Sequence, residues 1–124
     1  MLDIVIEKET QHKMLHRKRV DARLSFMEVV PSRIEVRKML ANKLGAKESM
    51  IIVHQILPTF GTGLAIVHAD VYDAADAMPH LVDTYKLTRH LVKEEKVKIR
   101  DDLKAKRQAA KAAKQAAKKT ASAK

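Results

Sequence analysis

The 124-residue sequence contains no cysteine and no tryptophan, and it has only two phenylalanines and two tyrosines. Without cysteine there can be no disulfide framework and no zinc site with thiolate ligands. Because aromatic residues are so few, a core must be built mainly from aliphatic side chains. No apolar run approaches the roughly 20 residues of a membrane-spanning helix, and the N-terminal segment is not typical of a signal peptide. We therefore expect a soluble, cytoplasmic protein.

Positive charge is concentrated at one end of the chain. Residues 93–124 hold 12 Lys or Arg and 4 Asp or Glu, a net charge of +8, whereas residues 1–92 hold 13 and 11, a net charge of +2. We predict one domain over residues 1–92 and a basic, Ala/Lys-rich extension over residues 93–124. Such asymmetry indicates a polyanionic partner, either nucleic acid or an anionic membrane surface.

The periodicity of apolar residues predicts four strands. Apolar and polar residues alternate over residues 2–7 and again over residues 19–26. The polar and basic residues 8–18 predict either a loop or a flaring connection between these strands. Residues 50–57 and 64–72 predict a second pair of strands, joined by a turn that contains Gly61 and Gly63. Both pairs are close enough in sequence to form antiparallel hairpins.

Two helices interrupt this pattern before the basic extension. Ser32 and Glu35 form a capping-box motif and Gly45 is a typical C-terminal stop, which predicts a helix over residues 33–44. Asp73 predicts a short helix that ends before Pro79. The order ββαββα predicts an α+β fold: an antiparallel four-stranded sheet with helix packing, plus a C-terminal basic tail that is helical or disordered.

The basic extension has a regular order of cations within alanine-rich sequence. Steps of three and four residues would place one set on a single face of a helix that begins near Asp101: Lys104, Arg107, Lys111, Lys114 and Lys118. A polyanion would relieve the repulsion between these cations. A solubilising disordered tail and a membrane-surface helix are the alternatives, although alanine offers little apolar surface to a membrane. Val97, Ile99 and Leu103 are expected to dock the base of the helix.

No group of residues makes a case for catalysis. The turn Phe60-Gly61-Thr62-Gly63 lacks the phosphate-loop pattern and predicts a hairpin turn. Its Phe60 is expected either to stack on an RNA base or to cover the end of the core. His12 and His16 have metal-like spacing only in a helix, and no third ligand is nearby. We expect no enzyme activity, no metal and no cofactor. A small enzyme that uses Asp70, Asp73 and a histidine stays open as an alternative.

Five short motifs occur in an order that resembles a known family. They are Met14-Leu15-His16-Arg17-Lys18, Val30-Pro31-Ser32-Arg33, Phe60-Gly61, Tyr72-Asp73 and Lys86-Leu87-Thr88-Arg89-His90. Over residues 2–92 the chain resembles the e-type small-subunit ribosomal protein twenty-four of archaea and eukaryotes. The resemblance implies a ββαββ sheet with a helix, residence in the small ribosomal subunit and contacts with ribosomal RNA.

We therefore expect a structural constituent of the small ribosomal subunit that binds ribosomal RNA, contacts neighbouring ribosomal proteins and supports subunit assembly and translation. No membrane and no small-molecule substrate are expected. The expected RNA contacts are Arg17, Lys18, Arg33, Phe60, Arg89 and His90 in the first domain, and Lys104, Arg107, Lys111, Lys114 and Lys118 in the extension. A non-ribosomal RNA-binding or RNA-chaperone module of the same fold is the alternative.

Overall fold

The chain begins with a β-hairpin in the computed structural model, which describes residues 2–76 and 78–123. Strand β1 covers Asp3–His12 and strand β2 covers Arg17–Ser25. A 3₁₀ turn at Lys13–Leu15 joins them, and His16 closes it with a φ of 47°, in the left-handed region. Both strands are longer than the sequence predicts.

Of the two alternatives for residues 8–18, the loop is wrong over most of that range, because both strands continue into it. After a register shift between Ile6 and Lys8, the pairing of β1 with β2 continues to the pair His12 and Arg17. Strand β1 lies at the edge of the sheet. Because backbone hydrogen bonds to β2 hold this segment and its side chains face solvent, polar residues extend the strand without the apolar alternation that marks a half-buried one.

Helix α1 covers Arg33–Leu44, as the sequence predicts. The Ser32 hydroxyl accepts a hydrogen bond from the Glu35 amide, and the Glu35 carboxylate accepts one from the Ser32 amide, so both halves of the capping box are formed. Gly45 ends the helix in the left-handed conformation with a φ of 64°. A short 3₁₀ turn at Glu48–Met50 then leads into the next strand.

The second hairpin pairs strand β3, Ile51–Thr59, with strand β4, Leu64–Tyr72. The sheet has the order β1-β2-β4-β3, and every neighbouring pair is antiparallel. This confirms the predicted four-stranded antiparallel sheet of an α+β fold. Gly63 at the hairpin turn has no room for a side chain, because an added Cβ would lie 2.7 Å from the Phe26 carbonyl oxygen.

Helix α1 covers one face of the sheet and forms the main core with it. The buried members of that core are Ile4, Ala22, Leu24, Val36, Leu40, Ala41, Ile51, Val53, Ala65, Val67 and Ala69. Side chains alternate between faces along a strand, so Asp70 and Tyr72 of β4 lie on the opposite face. There a smaller cluster unites Ile52 and Tyr72 with Met78 and Val82.

Two short helices supply part of this second cluster. Helix α2 covers Met78–Leu81 and helix α3 covers Thr84–Thr88. The prediction of a helix from Asp73 to Met78 is wrong, because residues 73–76 form a bend and a turn and residue 77 lies outside the described residues. Pro79 lies in the first turn of α2 instead of ending a helix, since its missing amide hydrogen is not required there.

The last element is the long helix α4, which covers Lys93–Ser122. It begins eight residues before the predicted start at Asp101. Val97, Ile99 and Leu103 lie within this helix, and their docking stays a prediction. Contacts divide the chain into two compact units, Met1–His90 and Leu91–Lys124.

Candidate nucleic-acid interface

A buried carboxylate organises cations on the sheet face opposite α1. Asp70 is fully buried, and its oxygens lie 2.8 Å from Nη1 of Arg17, 3.1 Å from Nε of Arg19 and 2.8 Å from Nε2 of His54. The antiparallel pairing of β2 with β4 places Arg19 directly opposite Asp70. The strand register therefore brings together residues that are far apart in the sequence.

The charge of this cluster follows from the environment of Asp70. Burial alone would raise the pKa of this carboxyl, but hydrogen bonds from His54 and Arg19 and the charge of Arg17 hold the pKa below its ordinary value. One ionised carboxylate thus faces two guanidinium groups. The side chain of Arg17 is 20% exposed and that of Arg19 is 46% exposed. The cluster keeps a positive charge that is accessible from solvent and fixed in position.

The other predicted residue of β2 is held less firmly. Lys18 Nζ lies 2.9 Å from Oε2 of Glu9 on β1, and both side chains are about 40% exposed. Such an exposed ion pair contributes little to stability, and a phosphate can replace the carboxylate. Lys18 thus remains available to an anionic partner.

Phe60 is placed at the tip of the β3–β4 hairpin, where its side chain is completely exposed. The loop that includes Phe26 and Met27 lies beside this tip, and together they line an open depression with Pro58 and Gly61. A fully exposed aromatic ring offers a flat surface on which an unpaired RNA base can stack. It does not cover the core.

The two predicted residues after α3 differ sharply in their surroundings. Arg89 is exposed, and its guanidinium carbon lies 5.0 Å from the centre of the Tyr85 ring, a distance typical of a cation–π contact. His90 is buried, and its Nε2 accepts a hydrogen bond from the Val53 amide over 2.9 Å while its Nδ1 lies 2.9 Å from the Lys86 carbonyl oxygen. Both ring nitrogens of His90 are therefore occupied within the chain.

Helix α4 extends the predicted set of cations. Three further residues precede it at the same steps of three and four, so the full set is Lys93, Lys96, Arg100, Lys104, Arg107, Lys111, Lys114 and Lys118. At 3.6 residues per turn they lie within an arc of about 80° and over a length of about 38 Å. We name this set the cation stripe.

The acidic residues of α4 lie away from the cation stripe. Glu94, Glu95, Asp101 and Asp102 are at least about 60° from the edge of the arc on a helical projection. No ion pair joins two residues of α4 within its described length. One side of the helix is therefore uniformly cationic.

Sequence reasoning missed several residues of these surfaces. Lys93, Lys96 and Arg100 follow the same spacing, so the sequence contains a signal for them. The acidic residues between positions 94 and 102 made the start of the helix difficult to predict. The contacts of Arg19 and His54 have no local signal in the sequence, because their common partner Asp70 is identified only by the pairing of β2, β4 and β3. Among residues 2–76 and 78–123, no group of three or more His, Asp or Glu side chains is arranged to hold a metal ion.

Comparison with known proteins identifies the family. A sequence model described as ribosomal protein S24e matches residues 2–91. The chain belongs to the ribosomal protein S24e family. The match includes all four strands and helices α1 to α3, whereas α4 begins after its last residue. The cation stripe is therefore outside the part of the chain that defines the family.

Several archaeal members of the S24e family are similar to the chain, and each is called small ribosomal subunit protein eS24. The protein of Natronomonas pharaonis is 34% identical over 91 residues, which cover 73% of this chain and 87% of the relative. The protein of Archaeoglobus fulgidus is 31% identical over 94 residues, with coverages of 76% and 86%. That of Halorubrum lacusprofundi is 33% identical over 91 residues, with coverages of 73% and 89%.

Membership of the S24e family defines the general class of the protein. The family consists of ribosomal proteins and is not a class of enzymes. The carboxylate–histidine contact between Asp70 and His54 thus belongs to a ribosomal protein fold, in which it holds arginines in place. Within the described residues, no helix combines the length and the apolar character needed to cross a membrane.

Proposed function

We propose that the chain is a structural constituent of the small ribosomal subunit and that it binds ribosomal RNA there, mainly through phosphate groups. The names of the archaeal relatives support the ribosomal placement. The cation stripe is the observation that supports the proposed binding of ribosomal RNA, because it places eight cations on one side of an exposed helix. The proposed location is the cytoplasmic ribosome, where the protein supports subunit assembly and translation.

The cation stripe suits a partner with regularly spaced negative charge. Like charges three and four residues apart destabilise an isolated helix, and a row of phosphates removes that cost. Each neutralised phosphate releases counterions, so eight contacts correspond to a slope of roughly −5 to −7 in log affinity against log salt concentration. Such contacts fix position on the RNA without reading its sequence.

The first unit contributes a second, separate set of proposed contacts. Arg17 is held in place by Asp70. Lys18 leaves its ion pair with Glu9 and binds a phosphate group instead. Arg89 lies over the ring of Tyr85. Arg33 adds a cation at the start of α1, and Phe60 supplies the stacking surface. We give His90 a positioning role for α3 and no direct RNA contact, because both of its ring nitrogens are occupied.

The experiment that tests this function is sedimentation of native cell extract through a sucrose gradient at low and at high monovalent salt. The protein is followed by mass spectrometry, and crosslinking on the intact subunit then records contacts with RNA and with neighbouring ribosomal proteins. We expect co-migration with the small subunit near one copy per subunit at both salt concentrations, and crosslinks from α4 to ribosomal RNA.

Two results would contradict the proposal in different ways. Migration at the top of the gradient already at low salt would describe a non-ribosomal RNA-binding module of the same fold. Stable co-migration without any crosslink to RNA would leave a ribosomal component held by protein neighbours alone. The first result removes the ribosomal placement, and the second removes the RNA contacts.

A further inference from the structure

Two neighbouring arginines on α1 have charges that other residues of the described chain offset only in part. Arg33 is the first residue of the helix and Arg37 follows one turn later, so their side chains leave the same side of the helix with Cβ atoms about 5–6 Å apart. Neither guanidinium forms an ion pair within residues 2–76 and 78–123. The Nε atom of each is buried and has no hydrogen-bond partner there.

The position of this pair is unfavourable in three respects. A cation at the N-terminus of a helix faces the positive end of the helix dipole, and Arg33 lies there. Like charges four residues apart repel each other. Burial also lowers the pKa of the Arg37 guanidinium, and the charge of Glu48 only partly offsets this effect.

His90, a buried residue within range of the charges of this pair, supplies no negative charge. Burial lowers the pKa of His90, the hydrogen bond to the Lys86 carbonyl only partly opposes this, and the charges of Arg37 and Arg33 lower it further. His90 is thus a neutral neighbour whose nitrogens are bonded to Val53 and Lys86. The Glu35 carboxylate at the start of α1 is bonded to the Ser32 amide in the capping box.

We propose that Arg33 and Arg37 form a binding site for one phosphate group. A phosphate between the two guanidinium groups relieves the repulsion between them and places negative charge at the helix N-terminus. The planar, multiply donating guanidinium is suited to phosphate oxygens. This inference rests on the proposed function, which makes the ligand a phosphodiester of ribosomal RNA; inorganic phosphate has the same recognition chemistry.

A purely structural role predicts a different behaviour of the same pair. Arginine stems can cover apolar side chains while the charged group reaches water, and Val36 and Leu40 of α1 are buried close by. Packing of the arginine stems against these apolar side chains would bury the Nε atoms, and the apolar side chains offer them no hydrogen-bond acceptor. If packing were the function, replacing both arginines would lower stability. If phosphate binding is the function, the replacement removes repelling charges that are only partly compensated and leaves stability equal or higher.

The site is tested first with inorganic phosphate and the full-length protein. The Nε–Hε resonances of Arg33 and Arg37 are followed by nuclear magnetic resonance while phosphate replaces chloride at constant ionic strength. We expect saturable shifts of both resonances with one midpoint, and no comparable shift of Arg23, which is paired with Glu7. The absence of saturation, or an equal response of Arg23, would overturn the site.

The RNA ligand is tested with a pair of variants matched in charge. The double variant Arg33→Gln/Arg37→Gln is compared with Lys38→Gln/Lys47→Gln, which removes two exposed cations of the same unit. Binding of full-length small-subunit ribosomal RNA is measured over a range of salt concentrations. We expect the arginine variant to flatten the slope of log affinity against log salt by about 0.7 to 0.9, the contribution of one phosphate contact, and the lysine variant by less than half as much.

The outcomes separate this site from the general function. Equal losses in the two variants, or a lower thermal unfolding midpoint in the arginine variant alone, would overturn the phosphate site and leave subunit association intact. Saturation with inorganic phosphate but unchanged RNA affinity would restrict the ligand to free phosphate and overturn the RNA assignment. Failure of the wild-type protein to sediment with small subunits would instead contradict the proposed function, while the phosphate titration would still decide the site.

Discussion

The backbone amide of Val53 donates a hydrogen bond to Nε2 of His90 over 2.9 Å, across 37 residues of the chain. Strand β3 lies at the edge of the sheet, and its register with β4 shifts just after Val53. Without His90, the backbone amide of Val53 would be buried without a hydrogen-bond acceptor. Because Nδ1 of His90 faces the Lys86 carbonyl oxygen, the neutral ring carries its proton on Nδ1 and accepts at Nε2.

This arrangement predicts a loss of stability in mildly acidic solution. The pKa of His90 is lowered in the folded state, mainly by burial, whereas the unfolded chain has a histidine pKa of about 6.5. The contribution of His90 is therefore complete above about pH 6.5 and is lost as the pH falls below it, because the unfolded state binds the proton first. The free energy of unfolding, measured by urea denaturation from pH 8 to 5, should decrease in this window.

His90→Gln keeps a hydrogen-bonding side chain without a charge change and should remove most of this pH dependence. His80→Gln is the matched control, because His80 is exposed in α2, and it should retain the wild-type profile. His90→Ala leaves the Val53 amide without a partner and should cost about 1–3 kcal/mol at neutral pH. Identical pH profiles for His90→Gln and wild type would show that another group is responsible.

The Asp70 carboxylate predicts a second stability effect. Asp70→Asn leaves Arg17 and Arg19 without their anion. Breaking a buried ion pair costs about 3–5 kcal/mol of stability. Because both arginines are partly exposed, we expect a loss in the free energy of unfolding at the lower end of this range. The pKa of Asp70 is lowered in the folded state, so its contribution is complete above the unfolded value of about 3.9 and is lost as the pH falls through the folded value. Urea denaturation at neutral and acidic pH measures both effects.

The control for Asp70 is Asp73→Asn, since Asp73 is exposed just after β4 and its replacement should change stability by no more than about 0.5 kcal/mol. If Asp70→Asn were as stable as this control at neutral pH, the carboxylate would not be the anchor of Arg17 and Arg19. The proposed fixation of these arginines would then be wrong.

The cation stripe predicts that position, and not only charge, determines RNA binding by α4. The triple variant Lys104→Gln/Lys111→Gln/Lys118→Gln removes three stripe residues and should flatten the salt dependence of affinity for small-subunit ribosomal RNA by roughly 2 to 3 in slope. The triple variant Lys98→Gln/Lys106→Gln/Lys119→Gln removes three cations on other sides of the same helix. This second variant should flatten the slope less than half as much. Equal flattening by the two variants would show that only the total charge of α4 matters for RNA binding.

Phe60 predicts a change in binding without a change in folding. Its side chain is fully exposed, so Phe60→Ala should leave the thermal unfolding midpoint unchanged. Loss of a stacked base should weaken RNA binding by about 1–3 kcal/mol. Met14→Ala serves as the control because Met14 is 93% exposed in the β1–β2 turn, and it should alter neither property. A reduced midpoint for Phe60→Ala would assign the ring to the core.

The elements that the sequence predicts best are those with strong local signals. Helix α1 has the predicted bounds because Ser32 and Glu35 fix its start and Gly45 fixes its end. Strand β4 has the predicted bounds because its apolar residues alternate between two Gly- or Asp-containing turns. The long β1 was missed because pairing with β2 stabilises it, and α2 was misplaced because a proline fits a first turn as well as it ends a helix.

The sequence by itself determined the α+β order, the capped α1, the family motifs and the spacing of cations in α4, because each depends on residues close together in the chain. Only the tertiary structure decided which charges meet. Strand register brings Arg17, Arg19 and His54 to Asp70, and the return of the chain past α3 brings His90 to Val53. These contacts span up to 53 residues, and their energies depend on burial, which no local pattern specifies.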